Sequence, residues 1–324
     1  MTDDQQPIDS LVAERASERR QFFRTALGAA AVTVAGAAAL TVGPRAFADT
    51  SNDVDSLNFA LQLKYLEAQF YSFAATGVGL PAASLTVGSS PTGTNVAGDA
   101  TGARQVSFTD PVVAQLAHEI AQKSAAHVAW LRNELGTNTS AQPAIDLGTA
   151  ASGAFSTAMR AATVISGASA TFDPYASDEN FLLAAFLLAD IAITGFVAAA
   201  PLLVDKTHME VVEGAMLNDA YHSAAIRTLL YAKGATTASL RSNADKIAGL
   251  RDALDGTTKD DPGISPSTDA NPVSNVVPTY ADGTIYARAA GNVLNILFLN
   301  SAQVTKGGFF PNGVNGTVTT STAN

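Results

Sequence analysis

Asp219-Ala220-Tyr221-His222 sets a carboxylate and an imidazole three residues apart, and so on one face of a helix. Alone, the pair carries little weight. Three apolar helical stretches upstream carry Glu67, His127 and Asp190 near their middles. Four helices around interior polar groups are the layout of an all-α four-helix bundle.

The helix that holds the pair is predicted from about Thr207 to Ala232, ending at Gly234, with Arg227 further along in a structural or solvating role. The helix before it opens at Ser177-Asp178-Glu179 and runs to Ala200-Pro201. Asp190 is the one carboxylate in its apolar run, so it must find a partner or stay protonated. A further helix starts at Thr109-Asp110-Pro111 and stops at Gly136. Its His118-Glu119-Ile120-Ala121-Gln122 approaches a zinc-protease signature, but Gln122 stands where a second histidine is required, and that reading is rejected. The first helix, Asp53 to Ala75, lacks glycine and proline and is apolar on nearly every side, so it is expected to be buried. Lys64 and Glu67 lie at i and i+3 in its middle. Two readings stand open: a surface ion pair worth a few tenths of a kcal/mol, or Glu67 as an interior ligand.

The connections differ in material. Residues 77–107 are rich in Gly, Ser, Thr and Pro without periodicity and read as an exposed excursion loop. A shorter helix is predicted near Ala154 to Ile165. Beyond Leu254 the chain reads as disordered or surface-wrapping loop. A last apolar helix, Ile285 to Leu299, precedes Gly307-Gly308-Phe309-Phe310-Pro311-Asn312-Gly313, whose two aromatics suggest a tail docked on the bundle. The expected organisation is a leader over 1–48, a helical bundle over 49–254, and a loop, helix and tail over 255–324 that pack on it.

Composition agrees with helix. Hydrophobic residues make up 47% but aromatics only 7%, and the excess is mostly alanine. The formal charge is -10, which argues against nucleic acid as a partner. Without cysteine, there are no disulfides, thiolate metal sites or iron-sulfur clusters.

Ser17-Glu18-Arg19-Arg20-Gln21-Phe22-Phe23-Arg24 resembles the twin-arginine export motif. A weakly apolar stretch and the small-residue pattern Ala46-Phe47-Ala48 follow it. Arg19, Arg20, Ala46 and Ala48 therefore predict export by the twin-arginine translocase to a periplasmic or extracellular address, with no membrane span left after cleavage.

Taken together, Tyr65-Leu66-Glu67-Ala68-Gln69-Phe70-Tyr71, His127 with Leu131-Arg132, Ala199-Ala200-Pro201, Ala220-Tyr221-His222 with Ala225-Ile226-Arg227, and Gly308-Phe309-Phe310-Pro311-Asn312-Gly313 resemble exported ferritin-like domain proteins, including the desiccation-related group. The resemblance implies a ferritin-like bundle with long loops and an extra C-terminal helix. Its complete di-metal site takes a glutamate from each of two helices and Glu-x-x-His from each of the other two. Here the count falls short. Glu67 stands for one glutamate, Ser124 precedes His127, the third-helix glutamate falls at Ala189, and Asp219 precedes His222. Glu67, His127, Asp219 and His222 are the candidate ligands, and they could hold one ion of iron, manganese or zinc. Alternatively Lys64 supplies the cation, in a buried pair with Glu67 or Asp219. The expected function is a structural or stress-related one with a degenerate metal site. The rival is a metal-dependent protein that handles oxygen or peroxide. A homo-oligomer or a cell-envelope partner engaged by the long loops is also open.

Overall fold

The computed structural model describes residues 53–268 and 270–324. The expected export signal at Arg19, Arg20, Ala46 and Ala48 lies outside them. Seven α-helices and one two-stranded sheet make up the described residues: α1 (Asp53–Thr76), α2 (Pro111–Leu135), α3 (Ala154–Ala161), α4 (Asp178–Ala199), α5 (Lys206–Lys233), α6 (Ser239–Leu254) and α7 (Ala290–Phe298), with β1 (Ala100–Thr101) parallel to β2 (Ile145–Asp146). Helices α1 and α2 form one pair and α4 and α5 another, with α1 laid on α4 and α2 on α5. This is the all-α bundle that the polar periodicity predicts.

Local chemistry explains the helix borders. The Asp110 side chain accepts from Val112 N at 2.9 Å ahead of Pro111, and Gly136, at φ 50°, ends α2. Ser177 Oγ accepts from Asn180 N at 3.2 Å and caps α4. At the start of α5, Asp205 accepts from Thr207 N at 2.7 Å. Asp53 accepts from Val204 N and Asp205 N, both at 2.8 Å, so the first turn of α1 is tied to the start of α5.

Every residue from Ser56 to Tyr71 is buried. A helix flanked by two neighbours still has an open side, and α1 closes it with its own polar side chains. Asn58 Nδ2 donates to Asn138 O at 3.0 Å, and its Oδ1 accepts from Ser140 N at 2.8 Å. Gln69 Nε2 donates to Gln142 Oε1 at 2.6 Å. Gln62 Oε1 accepts from Asn315 N at 3.2 Å, which brings the C-terminal tail onto the same side. The tail is docked as expected: Phe309 and Phe310 are fully buried, and the Phe309 ring lies edge-on to Phe155 at 5.0 Å.

Four expectations are corrected. The last helix begins at Ala290, not Ile285, because the stretch before it is held extended, with Arg288 N donating to Thr194 O at 2.9 Å. Helix α3 ends at Ala161, short of Ile165, where Thr163 turns left-handed at φ 58°. Helix α6 is absent from the elements expected from the sequence. The segment after Leu254 wraps the surface only in part: Asp255, Asp260, Asp261 and Ile264 are buried, while residues 266–284 are half-buried to exposed where they are described. The 77–107 excursion is largely exposed, yet it is pinned by Gly88 N to Thr139 O (2.8 Å), Gly98 N to Gln142 O (2.9 Å) and a bridge between Thr94 and Gly316.

Candidate functional site

At the centre of the bundle Lys64 and Glu67 form no surface pair and Glu67 is no free ligand; the arrangement is the alternative one, with Lys64 as a buried cation paired with Glu67 and Asp219. Lys64 is wholly buried, with its ammonium 2.5 Å from Glu67 Oε2 and bonded also to Asp219 Oδ2 across the bundle. The Phe196 ring of α4 lies 5.4 Å from the same nitrogen. Glu67 comes from α1 and Asp219 from α5, so one cation joins two helices at mid-bundle.

His127 of α2 and His222 of α5 sit beside this triad. His127 Nδ1 is 3.8 Å from Asp219 Oδ1, too far for a hydrogen bond. Among the described residues neither ring nitrogen of His222 meets a hydrogen-bonding partner, and His127 Nδ1, Asp219 Oδ1 and Ser124 Oγ are likewise buried without one. Helix α4 contributes no ligand here. Ala189 is buried, and Asp190 faces elsewhere.

The electrostatics follow from burial. Burial alone would lower the Lys64 pKa, but Asp219 and then Glu67 more than offset it and hold the ammonium charged above its ordinary range. Burial first, and the Glu67 charge second, raise Asp219 to about 7 against the pull of Lys64. Burial and the Lys64 charge push His127 down to about 3, and burial likewise lowers His222. Both imidazoles are therefore neutral at pH 7.

Asp190 resolves into a second buried network. Burial would raise its pKa, but Arg227 and Arg251 outweigh that and hold it well below the carboxylate range. Arg227 and Ser223 bond to it directly, and Arg251 reaches it at 2.9 Å. Arg251 continues to Asp261 at 2.7 Å and donates to Phe186 O at 2.5 Å. Arg288 then joins Asp255 at 2.5 Å, Asp260 at 3.0 Å and Asp261, and donates to Thr194 Oγ1 at 2.9 Å. Arg227, Arg251 and Arg288 are each at most 2% exposed, so this chain of ions is a core that ties α4, α5 and α6 to the approach to α7. Sequence reasoning passed over Arg251 and Arg288. For Arg251 there was a signal: it continues the stripe Leu240, Ala244, Ile247, Ala248 at helical spacing, which marks a buried arginine.

A ferritin-like domain model matches residues 52–232, more than half of the chain, and the chain belongs to the ferritin-like domain family. It is 26% identical over 282 residues to the ferritin-like catalase Nec2 of Nesocodon mauritianus, covering 82% of this chain and 84% of that protein. It is 29% identical over 219 residues to the desiccation-related protein PCC13-62 of Craterostigma plantagineum, covering 63% of this chain and 62% of that one. No solved structure shows significant similarity to the chain.

Two metal ions in a low-dielectric interior need several bridging carboxylates to offset about four positive charges. The bundle centre offers Glu67, Asp219, His127 and His222, and both carboxylates already bond to the Lys64 ammonium. This donor set does not fit a two-metal centre. Among the described residues, the one group of three ligating side chains whose donor atoms lie within 4.8 Å of one another is Asp252, Asp255 and Asp260, away from the bundle centre.

Proposed function

We propose that this chain is an exported ferritin-like protein in which a lysine has taken the place of the family's di-metal centre, and that it serves a structural, stress-related role in place of oxidase chemistry. The observation that carries this reading is the Lys64 ammonium between Glu67 and Asp219. A fixed organic cation there supplies the positive charge that the carboxylates need and takes their oxygens out of metal coordination. The similarity to a protein named as desiccation-related supports a stress role.

A second reading has its own support. His127 Nδ1, both ring nitrogens of His222 and Asp219 Oδ1 are metal-donor atoms that accept or donate no hydrogen bond among the described residues. With Lys64 displaced, they and Glu67 suit one iron, manganese or zinc ion. Similarity to a protein named as a ferritin-like catalase supports that reading.

Elemental analysis of the mature protein from its exporting host, beside a His127→Ala, His222→Ala double variant, separates the two. The first reading expects no near-stoichiometric metal, and the same peroxide-consumption background for both proteins. Iron or manganese that disappears in the double variant, with peroxide consumption lost alongside it, would overturn the first reading in favour of the second. Export by the twin-arginine route belongs to the same proposal: Arg19→Lys with Arg20→Lys should leave the protein in the cytoplasm with its leader attached.

A further inference from the structure

Among the described residues four lysine or arginine side chains are buried, and three of them, Arg227, Arg251 and Arg288, are arginines. Lys64 is the exception. A guanidinium is a fixed fork of donors, whereas a lysine amine that gives up a proton becomes a nucleophile. The carboxylates differ as well. Asp190 accepts from Ser223, Arg227 and Arg251, and Asp261 accepts from Arg251 and Arg288. Among the described residues Asp219 accepts from Lys64 alone, and its Oδ1 meets no donor.

The geometry is that of an amine set against a carboxyl group with a second carboxylate at hand. Lys64 Nζ is bonded to Asp219 Oδ2 and lies 2.5 Å from Glu67 Oε2. Nucleophile, acceptor carbon and proton carrier are thus within one hydrogen bond of each other. Lys64 is 0% exposed, Asp219 1% and Glu67 5%, and the Phe196 ring closes over the nitrogen at 5.4 Å. Burial has two effects here. Ions lose their hydration, so the neutral amine and carboxyl form of the pair lies closer in energy to the charged form than it does in water. Exclusion of solvent also keeps water from reversing a condensation.

We infer that Lys64 and Asp219 condense into an intramolecular isopeptide bond, with Glu67 as the proton carrier. A proton passes from the Lys64 ammonium to Asp219, and the freed lone pair forms the new bond from Nζ to Cγ. Glu67 takes a second proton from the nitrogen and gives it to the departing hydroxyl. The C–O bond breaks and one water leaves. Ammonium and carboxylate become amide and water with no change of net charge, Glu67 ends as the carboxylate it was, and nothing is oxidised or reduced. The inference rests on the reading that a lysine has replaced the metal centre, and it makes the replacement permanent. The bond staples α1 to α5, and it turns the Asp219 carboxylate into a neutral amide carbonyl, a weak metal donor.

The test is intact mass spectrometry of the mature protein, unfolded in acid, followed by tryptic peptide mapping. The expected mass is one water below that of the sequence from the observed N-terminus. Trypsin should no longer cut after Lys64, and the map should hold a branched species in which the stretch ending at Arg104 is joined to residues 207–227. Lys64→Arg and Glu67→Gln should each show their full sequence mass. Asp219→Asn should lose ammonia in place of water and converge on the wild-type product mass, because both side chains give the same amide. A wild-type mass equal to that of the sequence, with Lys64 cleaved by trypsin, overturns the inference whether or not the variants fold. So does a lost water that maps elsewhere, as a succinimide at Asp255-Gly256 would. Elemental analysis of the same sample keeps the bond and the metal-free reading apart: a metal-free chain without the bond refutes the bond alone, and stoichiometric metal with Lys64 unlinked refutes both.

Discussion

Replacing Lys64 with methionine removes the one positive charge at the bundle centre while nearly preserving side-chain volume. Glu67, 5% exposed, and Asp219, 1% exposed, are left facing each other without a cation. Removing one partner of a buried pair costs roughly 3–5 kcal/mol, chiefly because the stranded charge stays buried. Against a typical domain stability of about 5–15 kcal/mol this is a large fraction, and it translates to a midpoint lower by roughly 10 °C. The pH dependence has a definite sign. A carboxylate whose folded-state pKa lies above its unfolded value contributes stability at low pH, and that contribution is lost as pH rises through the folded value. Asp219 is already raised to about 7 by burial and Glu67, with Lys64 opposing the shift, so without Lys64 it rises further. Lys64→Met should therefore be most destabilised above pH 7 and recover much of its stability near pH 5, where Asp219 takes up a proton. The assay is urea unfolding followed by far-ultraviolet circular dichroism at pH 5, 7 and 8.5, with chelator present throughout. Adding Asp219→Asn to Lys64→Met should restore most of the loss at pH 8.5. A Lys64→Met protein as stable as the wild type at every pH would refute the reasoning.

Other outcomes follow from the same physics. Arg251→Met takes one of two guanidinium partners from Asp190, which keeps Arg227, and one of two from Asp261, which keeps Arg288, so chemical denaturation should register a loss of roughly 1.5–3 kcal/mol. Because Arg227 and Arg251 hold Asp190 below its ordinary range, its contribution is present above pH 4 and is lost as pH falls through the lowered folded value; an acid titration should show a shallower wild-type advantage over Arg251→Met below pH 3. Phe309→Ala empties a fully buried ring position against Phe155 and should cost roughly 3–5 kcal/mol by thermal unfolding, with the tail becoming sensitive to limited proteolysis first.

The helix borders are legible in the sequence because capping is local: Asp110 before Pro111, Ser177 before Asp178-Glu179, and Gly136 after Leu135 can each be read without knowing what lies across the core. Burial of α1 on all sides is also legible, from its unbroken apolar content. Pairing across the bundle is not. Lys64 and Asp219 are 155 residues apart, and no local signal says that the lysine turns inward; that depends on the Asn138–Gln142 segment and the tail covering the remaining side of α1. Asp190 announces that it needs a partner, and Arg227 could be suspected at one helix's distance, but Arg251 lies on a helix that went unrecognised. Arg288 precedes α7 in a stretch whose apolar residues imitate a longer helix, and its partners sit in a polar loop that composition alone marks as solvated. Loops held by buried ions defeat composition because their charges are matched over distance.

Helix α4 and its continuation, Asp178–Leu202, are long and apolar enough to cross a bilayer, yet in the folded chain they lie almost wholly inside the protein. Before folding, this segment is a membrane-seeking strip, and a lateral gate scanning an extended chain would sense it as a halt signal. Asp190 tempers that tendency, since a carboxylate at the centre of an inserting helix costs about 2.5–3.5 kcal/mol. Once folded, the same aspartate is the anchor for Arg227 and Arg251. One residue thus acts twice in the life of the chain: it discourages misdirection into lipid while the helix is naked, and it locks the helix in place once its neighbours arrive. Replacing it with leucine would remove both safeguards at once, and misinsertion during synthesis would then compete with folding for the same nascent chain.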